Sequence, residues 1–151
     1  MTENQICPAT ASAFAGLSGR TSQTNRILVV DDEQAIRELD TRWLTRAGYQ
    51  VDAVVDGVAA WDALQQNNYD LMITDNTMPR MTGTALVEKV RAAGMQMPVI
   101  MASGTFQKQV PAGDARLPTL NLLPKPYRGA ELVTMVKKVL ACTGPGYVEL
   151  N

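Results

Sequence analysis

Apolar runs and helix-period stretches alternate along residues 26–141 in a β-α order repeated five times. Ile27, Leu28, Val29 and Val30 form a continuous apolar run, the pattern of a parallel strand buried on both faces. Ile36, Leu39, Trp43, Leu44 and Ala47 then recur at helical spacing, and Gly48 stands where a helix would stop. Val51, Ala53 and Val55 alternate as a second strand. Val58, Trp61 and Leu64 mark a second helix that ends at Asn67 and Asn68. Leu71, Met72, Ile73 and Thr74 predict a third strand; Ala85, Leu86, Val90 and Ala93 predict a third helix closed by Gly94. Val99, Ile100, Met101 and Ala102 predict a fourth strand, and Leu120, Asn121, Leu122 and Leu123 a short fifth. Leu132, Val133, Val136, Val139 and Leu140 make a final amphipathic helix. This alternation predicts an α/β fold, a five-stranded parallel sheet doubly wound by right-handed crossovers, with helices on both faces.

The window 105–119, between the fourth and fifth strands, breaks the pattern. Pro111 falls where a helix interior would lie and costs roughly 3 kcal/mol there. Gly113 adds roughly 1 kcal/mol against Ala, and Pro118 closes the window. The expected helix is therefore short or absent, leaving a mobile loop. Residues 1–25, rich in Ser, Thr, Ala, Gly, Gln and Asn, are expected to be a flexible leader, and residues 142–151 a flexible tail.

Doubly wound sheets place their sites outside the C-terminal ends of the strands. Polar residues collect there in this chain. Strand 1 runs into Asp31, Asp32 and Glu33; strand 3 ends at Thr74, Asp75 and Asn76; strand 4 ends at Ser103; strand 5 runs into Pro124, Lys125 and Pro126. Converging on one crevice, they supply three Asp carboxylates, a hydroxyl and an ammonium. Close carboxylates repel and raise one another's pKa values. A hard divalent cation relieves that repulsion, and oxygen ligands of this kind suit Mg²⁺. A carboxylate can also attack phosphorus and become an aspartyl phosphate, and phosphoryl transfer asks mainly for positioning and charge neutralisation. Singly, each residue has a plainer reading. Asp31 or Asp32 could cap the first helix, Ser103 could be a turn residue, and Lys125 a solvated charge. Four strand ends agreeing on one crevice favour a site.

Composition narrows the chemistry. The 151 residues suit one domain, and 14 basic against 15 acidic residues leave a net charge of −1, which argues against electrostatic binding to nucleic acid or anionic lipid. There is no histidine, so a Ser-His-Asp triad, a Cys-His pair, a His-ligated zinc and a phosphohistidine are excluded. Cys7 and Cys142 form no CxxC motif, which suits a reducing, cytoplasmic setting. No apolar run reaches the roughly 18 residues of a membrane span. The small apolar stretch 6–17 is preceded by Glu3 and by no Lys or Arg, unlike a signal peptide.

The runs ILVVDDE, LMITDNTMPRMTG, VIMASG and LLPKP resemble the receiver domain of two-component response regulators. So do the intervals of 43, 28 and 22 residues that separate Asp32, Asp75, Ser103 and Lys125 in turn. The resemblance covers residues 26–141. It implies a flavodoxin-like (βα)5 receiver of the stand-alone, single-domain type. Asp75 would be the phosphoacceptor, Asp32 a direct Mg²⁺ ligand, Asp31 a ligand largely through water, and the backbone carbonyl of Thr77 a further ligand. Ser103 would be the switch hydroxyl, and Lys125 would pair with a phosphoryl oxygen, with a cis peptide before Pro126. The donor would be a phosphohistidine on a sensor histidine kinase or phosphotransfer protein. The chain would support its own phosphorylation and dephosphorylation without being an enzyme.

Leu122 stands where the family usually has an aromatic residue, so the switch is expected to work by loop ordering rather than ring rotation. About ten residues follow the final helix, so output is expected through a protein contact or a phosphorelay, or the receiver acts as a phosphate sink, rather than through a DNA-binding module. Three alternatives compete. A metal-dependent phosphatase of the haloacid-dehalogenase type would want a second Asp two residues after its nucleophile. Thr77 holds that place counted from Asp75, and Glu33 holds it counted from Asp31. A flavodoxin-like electron carrier would want a phosphate-binding loop where Asp31, Asp32 and Glu33 stand. A degenerate receiver would bind partners only.

Overall fold

The computed structural model describes residues 24–104 and 120–141. The expected flexible leader and tail, and the expected short or absent helix within 105–119, lie outside the described residues, except for the last residues of the leader.

Five strands and four helices follow one another in the described chain: β1 (Arg26–Val30), α1 (Gln34–Arg46), β2 (Gln50–Val54), α2 (Gly57–Gln66), β3 (Leu71–Asp75), α3 (Gly83–Ala92), β4 (Val99–Ser103), β5 (Leu120–Pro124) and α4 (Gly129–Ala141). The strands form one parallel sheet in the order β2-β1-β3-β4-β5. The chain steps outward from β1 to β2, then crosses back to β3 and onward. The switch point therefore lies between β1 and β3, where such folds open a crevice.

Strand residues alternate between two cores, which explains the unbroken apolar runs. Leu28, Val30, Met72 and Met101 point to one face, under Leu64 of α2 and Leu86 and Val90 of α3. Ile27, Val29, Ile73 and Ile100 point to the other, under Leu44 of α1 and Leu132 and Val136 of α4. Leu122 packs on the first face and Leu123 on the second. At roughly 25 cal/mol per Å² of apolar surface removed from water, these two layers are the main force holding the sheet.

Local signals set the ends of the elements. Gly48 and Gly94 follow α1 and α3 with φ of +102° and +84°, the left-handed conformation that favours glycine at a helix end. The Asp56 side chain accepts from the Ala59 amide at 2.8 Å to cap α2, and Thr82 accepts from Ala85 at 3.1 Å to cap α3. Strand β2 stops at Val54, so Val55 is an exposed turn residue rather than a strand position. No described helix is long and apolar enough to cross a membrane.

Helix α1 departs from its predicted stripe. Leu39 and Trp43 are 44% and 36% exposed, whereas Asp40 is 3% exposed. Ile36, Asp40 and Leu44, four residues apart, line the inner side instead. The Trp43 indole lies over Gly129 at the start of α4, where any Cβ would enter the ring.

Gly83, the first residue of α3, has its own constraint. A Cβ there would meet the Asp75 carbonyl oxygen and come within 2.9 Å of Asn76 Cα. Backbone cannot yield as a flexible side chain does, so only glycine lets α3 start this close to the end of β3. Gly83→Ala is expected to destabilise the fold by about 1–3 kcal/mol through overpacking, despite alanine's better helix propensity. A lower urea midpoint at an unchanged slope is the measurement that checks it.

Candidate functional site

Register brings the predicted strand ends side by side. Val30 pairs with Thr74, Asp75 with Ala102, and Ser103 with Pro124. Asp31 follows β1 directly and is 3% exposed. Its amide donates to the Val54 carbonyl at 3.2 Å, and its own carbonyl accepts from Arg37 Nη1 at 2.8 Å. Its Oδ1 accepts from the Glu33 amide at 2.9 Å. Neither Asp31 nor Asp32 caps α1, whose N-cap is Glu33 without a side-chain cap bond. Asp32 is exposed beside it.

Asp75 is the last residue of β3 and is 8% exposed. The Thr77 amide donates to its Oδ1 at 3.4 Å. The Lys125 ammonium reaches both acids, 3.3 Å from Asp31 Oδ2 and 3.4 Å from Asp75 Oδ1. The Lys125 amide donates to the Ser103 carbonyl at 3.1 Å, tying the end of β5 to the end of β4, and the Lys125–Pro126 peptide is cis. Ser103 is buried at the end of β4. Asp31, Asp32, Asp75, Thr77, Ser103 and Lys125 thus all stand at one edge of the sheet.

Charge and burial compete here. Burial pushes the Asp75 carboxyl above the ordinary aspartate value, and the nearby Asp31 charge adds to this, while Lys125 and the Thr77 amide oppose it. Burial also works against the Lys125 ammonium. The Asp31 and Asp75 carboxylates together outweigh that effect and hold its pKa above the usual lysine value. Asp31, Asp32 and Asp75 each place a carboxylate oxygen within 4.8 Å of the others. An all-oxygen, anionic donor set of this kind fits a hard divalent cation.

Two supports of the site escape sequence reading. Asn76 Oδ1 accepts from the Thr84 amide at 2.9 Å and the Thr84 hydroxyl at 2.8 Å, clamping the loop after Asp75 onto α3. The second is a pair of the buried Asp40 and the half-buried Tyr127. The Tyr127 hydroxyl donates to Asp40 Oδ2 at 2.7 Å, across 87 residues of sequence. Spacing did carry a signal for it: Asp40 lies four residues from both Ile36 and Leu44, on the face those residues bury.

Burial raises the Asp40 carboxyl to about 6 from 3.8, with the Tyr127 hydrogen bond pulling the other way, Asp31 adding to the rise and Lys125 opposing it. Between those two values the folded chain binds more protons than the unfolded chain. The contribution of Asp40 to stability therefore falls as pH rises from about 4 to about 6, by about 3 kcal/mol at most. Asp40→Asn keeps an acceptor for Tyr127 and removes the ionisation. It is expected to lose this slope and to be more stable than the wild type at pH 7, as urea titrations across the range will read.

Comparison with known proteins agrees with this geometry. The family model described as "Response regulator receiver domain" matches residues 27–137. The response regulator MprA of Mycobacterium sp. (strain KMS) is 35% identical over 122 residues, 80% of this chain and 52% of that protein. The chain thus spans about half the length of the curated relatives it matches. Among solved structures, a Francisella response regulator receiver domain superposes with a TM-score of 0.74 at 25% identity, over 80% of this chain and 100% of the other. The response regulator TrrA of Thermotoga maritima, solved in complex with Mg²⁺-BeF, gives a TM-score of 0.68 at 31% identity over 77% and 99%.

Proposed function

The chain belongs to the response regulator receiver family, whose members are signalling phosphoacceptors, and we propose that it takes a phosphoryl group onto Asp75 from a phosphohistidine on a sensor kinase or phosphotransfer protein. The observation that carries this reading is the Asp75 carboxylate itself. It lies at the end of β3, beside two further carboxylates, with an ammonium 3.4 Å away.

In the proposed step a carboxylate oxygen of Asp75 attacks phosphorus. A P–O bond forms as the P–N bond to the donor imidazole breaks, and the imidazole leaves with the electron pair. Asp31, Asp32, Asp75 and the backbone carbonyl of Thr77 would hold Mg²⁺, whose contribution when bound is to neutralise charge on the phosphoryl oxygens. Lys125 supplies a fixed point charge for one of those oxygens. Ser103, at the neighbouring strand end, serves as the switch hydroxyl. Leu122, partly buried, packs against the core beneath α2 and α3 in place of the usual aromatic, so ring rotation at that position has no part in the switch. Output on this reading passes to a protein target, in the cytoplasm where the donor's phosphohistidine resides.

Intact-mass measurement with acetyl phosphate and Mg²⁺ tests the reading. The wild type is expected to gain one phosphoryl mass, and Asp75→Asn, which keeps the shape without the nucleophile, is expected to gain none. Phosphorylation of Asp75→Asn at the wild-type rate overturns the assignment. A second expectation concerns the metal. Asp32→Ala is expected to weaken Mg²⁺ binding on the order of tenfold or more, and Asp31→Ala by less, because the direct ligand contributes most to a hard-cation site. Calorimetric titration of each variant reads the difference.

A further inference from the structure

We propose that Asp40 is a positioning residue for Lys125: through its hydrogen bond with Tyr127 it ties the link between β5 and α4 to α1 and so sets where the lysine ammonium stands. This rests on the reading of Asp75 as the phosphoacceptor and goes beyond it, to how this chain aims the group that meets the phosphoryl oxygen.

Lys125 opens the link 125–128 between β5 and α4. β5 is an edge strand paired only with β4, so one side of the link has no neighbouring strand. Yet the ammonium must stand near two carboxylates at once, at 3.3 and 3.4 Å, on a flexible stem of four carbons. Its backbone therefore has to be held. The Lys125 amide is fixed to the Ser103 carbonyl at 3.1 Å. At the far end of the link the Arg128 amide donates to Glu131 Oε1 of α4 at 2.7 Å, and two further restraints come from α1. Tyr127 donates to Asp40 at 2.7 Å, and the Trp43 ring sits against Gly129, three residues further along the same helix.

A hollow of about 260 Å³ lies between α1 and the link, lined by Glu33, Ile36, Asp40, Lys125, Pro126 and Tyr127 among others. The link thus has space to shift into if the tether is cut. Chemistry also marks the pair as chosen for geometry. Ile36 and Leu44 flank Asp40 on the buried side of α1, and Tyr127 borders the core beneath it. Apolar residues at both places would extend that core, whereas a buried carboxylate is the costlier choice. A directional O–H···O bond supplies what apolar packing does not, a single distance between helix and link.

Three variants test this: Tyr127→Phe, which removes the donor; Asp40→Ala, which removes the acceptor; and Asp40→Asn, which keeps an acceptor oxygen. Each is folded at a temperature well below its own unfolding midpoint. Readouts are the rate of phosphoryl gain from acetyl phosphate, Mg²⁺ affinity by calorimetry, and the side-chain NMR signal of Lys125, assigned by its loss in Lys125→Arg. Tyr127→Phe and Asp40→Ala are expected to slow phosphorylation by roughly three- to tenfold, the kinetic equivalent of one hydrogen bond. They are expected to shift the Lys125 signal and leave Mg²⁺ affinity unchanged, while Asp40→Asn stays near the wild type in all three. An unmoved Lys125 signal in Tyr127→Phe overturns the proposal. So does an equal loss in Asp40→Asn and Asp40→Ala, or a fall in Mg²⁺ affinity that tracks the fall in rate. If the wild type gains no phosphoryl group, the phosphoacceptor reading fails, and the Lys125 signal still decides whether Asp40 positions the lysine.

Discussion

Two carboxylates on neighbouring strand ends, Asp31 and Asp75, share one ammonium, and the site depends on that sharing. Their nearest oxygens are within 4.8 Å. At an effective dielectric of about 20, two such charges repel by about 3 kcal/mol or more. Lys125 stands 3.3 and 3.4 Å from them, and each attraction is about 5 kcal/mol on the same footing. Attraction therefore wins over repulsion, though burial opposes all three charges. The raised Asp75 carboxyl shows that the offset is incomplete. The residual negative charge, with exposed Asp32 at its rim, is what makes the crevice suited to a cation.

Such a cluster can exist only if β1, β3 and β5 end at the same level. That follows from the sheet being parallel and buried on both faces. A one-residue slip in any strand would exchange its two sets of apolar side chains between the cores and would displace its terminal acid or lysine. Packing thus sets the site to within a residue. Finer adjustment comes from close backbone approach: α3 can begin against the Asp75 carbonyl because residue 83 has no Cβ. Asn76 then clamps the intervening loop onto that helix.

Helix α1 carries a polar residue inside and two large apolar residues partly outside. By packing alone the arrangement loses stability, since burial raises the Asp40 carboxyl to about 6 from 3.8. Places where a chain breaks its own local rules are where function is to be sought. Here the break adjoins the lysine that sits between the two acids. Trp43 on the same helix rests over Gly129, so α1 contacts both that lysine's link and the start of α4.

Much of this was legible from the chain alone. Period-two and period-3.6 patterns place the described elements to within about three residues, the start of α4 being the furthest off, because burial on one or two faces leaves a direct imprint on residue order. The acidic residues after Val30 and Thr74, the Ser103 hydroxyl and Lys125 could be assigned to one edge, because parallel strands must all end there. Tertiary structure alone decided the rest. That Asp31 gives one oxygen to the Glu33 amide and the other to Lys125, rather than capping α1, depends on where β5 delivers the lysine. That Asp40 is buried, while Leu39 and Trp43 are partly exposed, depends on the rotation of α1 against α4, which the periodicity of a single helix cannot specify. Tyr127 and Asp40 meet across 87 residues, and Gly83 meets Asp75 through backbone. Contacts of that kind leave no pattern in residue order, because they are made by the packing of elements and not by any one of them.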